Sequence, residues 1–159
     1  RLIEVEEEGT MTGRSERRTN QQPSTTYLHQ LAYGDGPLAL RNACDIWMVN
    51  YRDEIGRTPL HCLAASEFTR KSAQQASADC SWLIHMGVDV NAKDKNSDTA
   101  LHLAIATCRL SLVQKLIDQM ERIDPAMGNA QDKTPLHLAT ENGDVLVVRL
   151  LLEHRRVLE

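Results

Sequence analysis

Thr134-Pro135-Leu136-His137-Leu138-Ala139-Thr140-Glu141-Asn142-Gly143-Asp144-Val145-Leu146-Val147-Val148-Arg149-Leu150-Leu151-Leu152 reads as two short helices and the turn between them. Thr134 can cap free backbone N–H groups, Pro135 fits the first helical position, where no N–H is needed, and Leu136 begins a buried face. Gly143 closes this inner helix and Asp144 opens the outer one. Val147, Val148, Leu150, Leu151 and Leu152 make the outer helix strongly apolar. Neither helix can bury its apolar side alone, so such a unit needs neighbours.

The opening tetrapeptide recurs as Thr58-Pro59-Leu60-His61 and Thr99-Ala100-Leu101-His102, with a degenerate Thr26-Tyr27-Leu28-His29 upstream. From 26 to 58, 58 to 99 and 99 to 134 the spacings are 32, 41 and 35 residues. They gather about a period of ~33 once one insertion is allowed. The third copy places Leu101, Ala104 and Ile105 on an inner helix and Leu112, Val113, Leu116 and Ile117 on an outer one, at helical period. In the second copy the outer helix ends Trp82-Leu83-Ile84-His85-Met86-Gly87, with Trp82 at a core position, and the chain then turns outward through Val88 to Asp94. Counting back from Gly87 leaves about eight extra residues in the polar stretch 67–78, where they extend the loop or lengthen the outer helix at its start.

The predicted fold is all-α, a solenoid of about four helix-turn-helix repeats over 25–52, 53–93, 94–128 and 129–159, with a concave surface of fingers and inner helices. The first repeat is the least regular, with Gly34-Asp35-Gly36-Pro37 as its turn and Leu38 to Cys44 as a short outer helix, and reads as an N-terminal cap. Trp47, in its exit, suits either core or partner contact. Residues 1–24, acidic and then basic and polar, are expected to form a separate flexible segment. At the other end an apolar helix runs into Arg155-Arg156-Val157-Leu158 without a polar capping repeat, so further repeats or a partner are expected to cover it. The chain begins at Arg1, and we expect it to be a fragment of something longer.

Aromatic residues make up only 4% of the chain, so the core must be built from Leu, Ile, Val and Ala, which suits close helix packing. The net charge of −4 argues against a nucleic-acid surface, which needs clustered Lys and Arg, and favours a neutral or basic protein partner. Cys44, Cys62, Cys80 and Cys108 form no CxxC pair, so neither a zinc ribbon nor a disulfide framework is written here. They read as reduced thiols of an intracellular protein. No apolar run approaches the length that spans a bilayer, and no signal-peptide pattern occurs.

The chemistry-bearing residues have structural readings. His29, His61, His102 and His137 all occupy the fourth position of the repeat signature, a recurrence that reads as structural. His85 and His154 lack a ligand-spaced companion, so no metal site is expected. His61 and Cys62 are consecutive on a helix and point in different directions, which denies them a shared proton. No phosphate loop, Ser-His-Asp order or HExxH occurs. We expect no catalytic residue and no cofactor.

The recurring Thr-Pro-Leu-His, the Gly87 that ends the second repeat's outer helix and the outward finger after it resemble the ankyrin-repeat family, which implies that the imidazoles at the fourth signature position hydrogen-bond between neighbouring repeats. Within it, the stretch from Gly56 onward is similar to the IκB family, nuclear branch of zeta and NS type. The similarity rests on Gly56-Arg57-Thr58-Pro59-Leu60-His61-Cys62 followed by an inter-helix insertion and Asp79-Cys80 to Met86-Gly87; on Ala92 to Ala104; and on the long exit from Leu116 through Ile123-Asp124-Pro125 to Asn129. It implies a regulator that binds transcription factors with a Rel-homology domain, acting by protein contact in the nucleus or cytoplasm. Two departures stand out: IκB-type domains hold more repeats, and the finger Asn129-Ala130-Gln131-Asp132-Lys133 counts as about three residues shorter than usual.

Packing between repeats consumes the other faces, so a partner should meet the non-signature positions of the fingers and inner helices. These are Glu54, Ile55, Arg57 and Ser66 in the second repeat, Lys95, Asn96, Asp98 and Thr107 in the third, and Gln131, Lys133, Glu141 and Asn142 in the fourth. Ile55 is an apolar finger tip beside Tyr51 and Arg52, the side-chain types of an interface hot spot; Tyr51 alternatively packs on the neighbouring finger. The expected function is a non-catalytic interaction module, an IκB-like regulator or else a cytoplasmic scaffold that joins signalling proteins.

Overall fold

The computed structural model describes residues 49–66, 72–119 and 121–157, with side chains as far as 153. The expectations for residues 1–24, for the first repeat with His29, Cys44 and Trp47, for 67–71 of the insertion, and for the side chains of His154, Arg155 and Arg156 lie outside these. Among the described residues the chain is all-helical, without strands.

The helices alternate between two layers. The inner layer holds α1 (Pro59–Ala65), α3 (Ala100–Ala106) and α5 (Pro135–Glu141); the outer holds α2 (Ala73–His85), α4 (Leu110–Ile117) and α6 (Val145–Val157). Each inner helix packs on the next inner helix and each outer helix on the next outer one, α1 on α3 on α5 and α2 on α4 on α6. Inner helices of seven residues are too short to persist alone, so caps and stacking must hold them. Leu60, Leu63, Leu83, Leu101, Ile105, Leu112, Leu116 and Ile117 are fully buried between the layers. Trp82 is partly buried and packs against this core.

The turn joining the layers is the same in both complete pairs. Gly143 sits at φ +71°, and the N–H groups of Gly143 and Asp144 donate back to the Thr140 and Ala139 carbonyls at 3.1 and 3.0 Å. Cys108, at φ +53°, holds the equivalent place, with Cys108 and Arg109 N–H donating to Ile105 and Ala104 at 3.0 and 2.9 Å. Both arrangements satisfy carbonyls that a helix end would otherwise leave open. Asp144 then opens α6, its carboxylate accepting from Val147 N–H at 3.2 Å.

Buried Leu83 and Leu116 mark equivalent positions of α2 and α4, which aligns Ser77 with Leu110. Residues 73–76 therefore form an added first turn of α2 with no counterpart in α4. Ser72 caps it reciprocally: its Oγ accepts from Gln75 N–H at 3.3 Å and Gln75 Oε1 accepts from Ser72 N–H at 3.1 Å.

The three fingers Asp53–Arg57, Asp94–Asp98 and Asn129–Lys133 are the same length and make the same turn, which corrects the expectation of a short third finger. In each, the first residue's side-chain oxygen accepts from the N–H groups two and four positions on. The fourth residue lies at positive φ: Gly56 at +78°, Ser97 at +60° and Asp132 at +55°. A Cβ on Gly56 would stand 3.3 Å from the backbone nitrogen of Lys95, so glycine also permits the second finger's close approach. The extra length of the third repeat lies between Ile117 and the finger that starts at Asn129.

Candidate protein-binding surface

The finger tips are stitched side by side. Lys95 N–H donates to the Ile55 carbonyl at 3.0 Å, and Ala130 N–H to Asn96 at 2.9 Å. At the finger roots, Asn50 spans to Gly87 and Asp89, and Asn91 repeats the bridge to Arg122 and Asp124. Ala126 occupies the equivalent place in the last repeat, so this row ends there. Lys93 Nζ donates to the Gly128 carbonyl at 2.8 Å.

The histidines form a second row. Thr58 N–H donates to His61 Nδ1 at 3.2 Å, which leaves the proton on Nε2, and Nε2 reaches the Asp98 carbonyl at 3.1 Å. His102 repeats this, from Thr99 N–H at 3.2 Å to the Lys133 carbonyl at 3.1 Å. Burial pushes the pKa of both below the ordinary histidine value, outweighing the bonds to Asp98 and Lys133 that raise it. Cys80, fully buried, has its thiol pushed up to about 12 by the same cause, which makes it an inert packing residue at neutral pH. Cys62 is buried and Cys108 exposed.

The residues singled out in the sequence divide by what they touch. Several tie repeats together. Ser66 is 5% exposed and receives Arg109 Nη1 at 2.7 Å, so it lies beneath the surface. Thr107 Oγ1 donates to the Ala64 carbonyl at 2.9 Å, and Asn142 Nδ2 to Ile105 at 3.0 Å. Asp98 accepts from Asn129 Nδ2 at 2.9 Å. Half-buried Arg57 stands 3.7 Å from the Asp94 carboxylate, and Arg52 Nη1 donates to the Lys93 carbonyl at 2.5 Å. Tyr51 is half-buried. Lys133 and Glu141 form an ion pair at 2.7 Å on the open side of α5.

Glu54, Ile55, Lys95, Asn96 and Gln131 are exposed along the finger tips, and Ile55 leaves 45% of its surface in water. Their side chains constitute the open edge that the stacking does not use. Sequence reasoning missed Arg109, which clamps the end of α1 through the Leu63 and Ser66 carbonyls at 2.8 and 3.0 Å, and the Asn50 and Asn91 bridges. Recurrence of Asn at one offset before both Thr58 and Thr99 was the signal available for these bridges. On the outer side, a solvent-open groove between α2 and α4 is lined by Ser81, His85, Lys115, Asp118 and Arg122, mixed in sign and selective for neither anion nor cation. Among the described residues no three His, Cys, Asp or Glu side chains converge as a metal site, and no helix is long and apolar enough to cross a membrane.

Stacked helix-turn-helix pairs with outward fingers define a repeat solenoid. A family model for ankyrin repeats, three copies, matches residues 71–158, more than half of the chain, which therefore belongs to the ankyrin-repeat family. The chain is 33% identical over 103 residues to the protein glp-1 of Caenorhabditis elegans, covering 65% of this chain and 8% of that one. It is 30% identical over 127 residues to inversin of Canis lupus familiaris, covering 79% and 10%. With the palmitoyltransferase ZDHHC13 of Homo sapiens it shares 37% over 75 residues, 47% of this chain and 12% of the other. The chain thus spans a small part of each of these relatives.

Proposed function

We propose that this stack is a non-catalytic docking module that takes a protein partner across its finger tips and the open side of its inner helices. The observation that carries this is the division of labour among polar groups. Arg52, Ser66, Asp98, Thr107, Arg109 and Asn142 are spent on neighbouring repeats, while Ile55, Glu54, Lys95, Asn96 and Gln131 stand exposed in one row. An exposed isoleucine between charged rims is the composition of an interface centre. The inert Cys80 thiol and the engagement of His61 and His102 at both ring nitrogens support the absence of chemistry of its own.

The finer reading is an IκB-like regulator of Rel-homology transcription factors, nuclear or cytoplasmic. It is supported by the added turn of α2, which belongs to the inter-helix insertion, and by the Met86-Gly87 end of that helix. The second reading, a scaffold in a signalling complex, is favoured by the variety of whole proteins, glp-1, inversin and a palmitoyltransferase among them, that carry similar repeats. Ankyrin repeats serve both, so the partner decides.

The test is capture of partners from cells with the wild-type chain and with Ile55→Asp/Lys95→Glu. Arg57 is spared because its contact with Asp94 makes its reversal a structural change as well. We expect affinity to fall about 10- to 100-fold with the unfolding midpoint unchanged; undiminished binding refutes the surface. Recovery of a Rel-homology factor supports the regulator, and recovery of kinases, receptors or adaptors alone supports the scaffold.

A further inference from the structure

We infer that the far face of the last described repeat, formed by α5 and α6, is a docking face for one further ankyrin-type repeat that continues the stack in the same sense. Three features of the repeat-to-repeat interface run through the molecule in register and arrive at this face unfilled.

The first is the histidine row. His137 accepts from Thr134 N–H at 3.1 Å, as His61 and His102 do from Thr58 and Thr99. Its Nε2–H is therefore preset to donate toward a neighbouring finger, yet it meets no acceptor among the described residues and is exposed. The second is the finger ladder. The Ile55 and Asn96 carbonyls each accept an N–H from the next finger; the Gln131 carbonyl is the next rung and receives none among the described residues.

The third is apolar burial at matched positions. Leu112 and Val147, which face the preceding repeat, are each 1% exposed. Val113 and Ile117, which face the following one, are 0% and 1% exposed, whereas their counterparts Val148 and Leu152 are half-buried and 43% exposed, with Leu146 at 57%. The face thus offers a preset donor, an open acceptor and an apolar strip in the geometry by which α3 and α4 already receive α5 and α6.

Continuity with that interface specifies the occupant. A helix pair with a Thr-x-x-His start places a finger N–H on Gln131, the carbonyl before its Thr on His137, and its outer helix on Val148 and Leu152. The asparagine row does not extend, because Ala126 stands in its place.

The experiment fuses one consensus ankyrin repeat with a polar outer face, in register, after Glu159 of the full chain, and follows thermal unfolding by circular dichroism. We expect one cooperative transition raised by about 5–10 °C. Leu152→Glu should abolish most of that gain while barely changing the unfused chain, and His137→Ala should reduce it by a smaller part. Two independent transitions, or a gain that survives Leu152→Glu, overturns the inference. Sedimentation of the unfused chain should show a monomer; a dimer dissolved by Leu152→Glu overturns it too, by giving the face to a second copy.

Discussion

Thr99-Ala100-Leu101-His102 and Thr134-Pro135-Leu136-His137 open the middle and last described repeats with the same local contacts, Thr N–H to imidazole Nδ1 at 3.2 and 3.1 Å. Their surroundings nevertheless part at once. His102 is buried against the Lys133 carbonyl while His137 faces water, and Ile117 is buried where its counterpart Leu152 is not. A repeat's own residues set its caps, turn and finger. Whether its apolar and polar groups stabilise anything is decided by the neighbour they meet.

The largest expected separation lies at the matched outer-helix positions. Ile117→Ala removes a side chain filled around by α6 and should cost about 2–5 kcal/mol. Leu152→Ala, half in water, should cost under about 1 kcal/mol. Urea denaturation of the two variants measures both, and equal costs would break the comparison by showing that Leu152 is covered in the full chain.

The histidines give the next largest difference. His102→Ala leaves the Lys133 carbonyl and the Thr99 N–H without their partner and should cost about 2 kcal/mol, against about 0.5 for His137→Ala. Acid sharpens the point. His61 and His102 are held neutral in the fold by burial, so below their unfolded pKa of about 6.5 the unfolded chain binds protons that the folded one refuses. Stability from these two sites is therefore whole above roughly pH 7 and is lost progressively as pH falls from about 6.5 toward their lowered folded values. Replacing either with Gln should flatten that slope in denaturation curves taken between about pH 5 and 7.5.

The same separation governs what could be read in advance. Thr-x-x-His, Pro at the first helical position and glycine at a helix end act within a few residues, so the helix pairs were legible from the chain alone. The third finger's length was not, because the extra residues of that repeat fall between the end of α4 and the finger, and a helix end carries no local mark of where it stops. At the surface, Ile55 was legible as an isolated apolar finger tip. Ser66, Thr107 and Asn142 were harder, since a hydroxyl or amide suits a partner and a neighbouring carbonyl equally. Only the spacing between stacked repeats brings them within 3.0 Å of Arg109, Ala64 and Ile105.

The smallest expected effect concerns the turn between layers, where Cys108 and Gly143 adopt the same left-handed backbone, at φ +53° and +71°. A residue with a Cβ loses about 1 kcal/mol there, part of which glycine returns through its greater freedom in the unfolded chain. Cys108→Gly should then stabilise the protein by about 0.5 kcal/mol. The reverse exchange is clean because a Cβ on Gly143 would meet no heavy atom within 4 Å, so Gly143→Ala should cost about 1 kcal/mol through the backbone alone. Matched denaturation midpoints for the pair check this. A loss on Cys108→Gly would show that the exposed thiol makes a contact in the middle repeat that outweighs the strain of its turn.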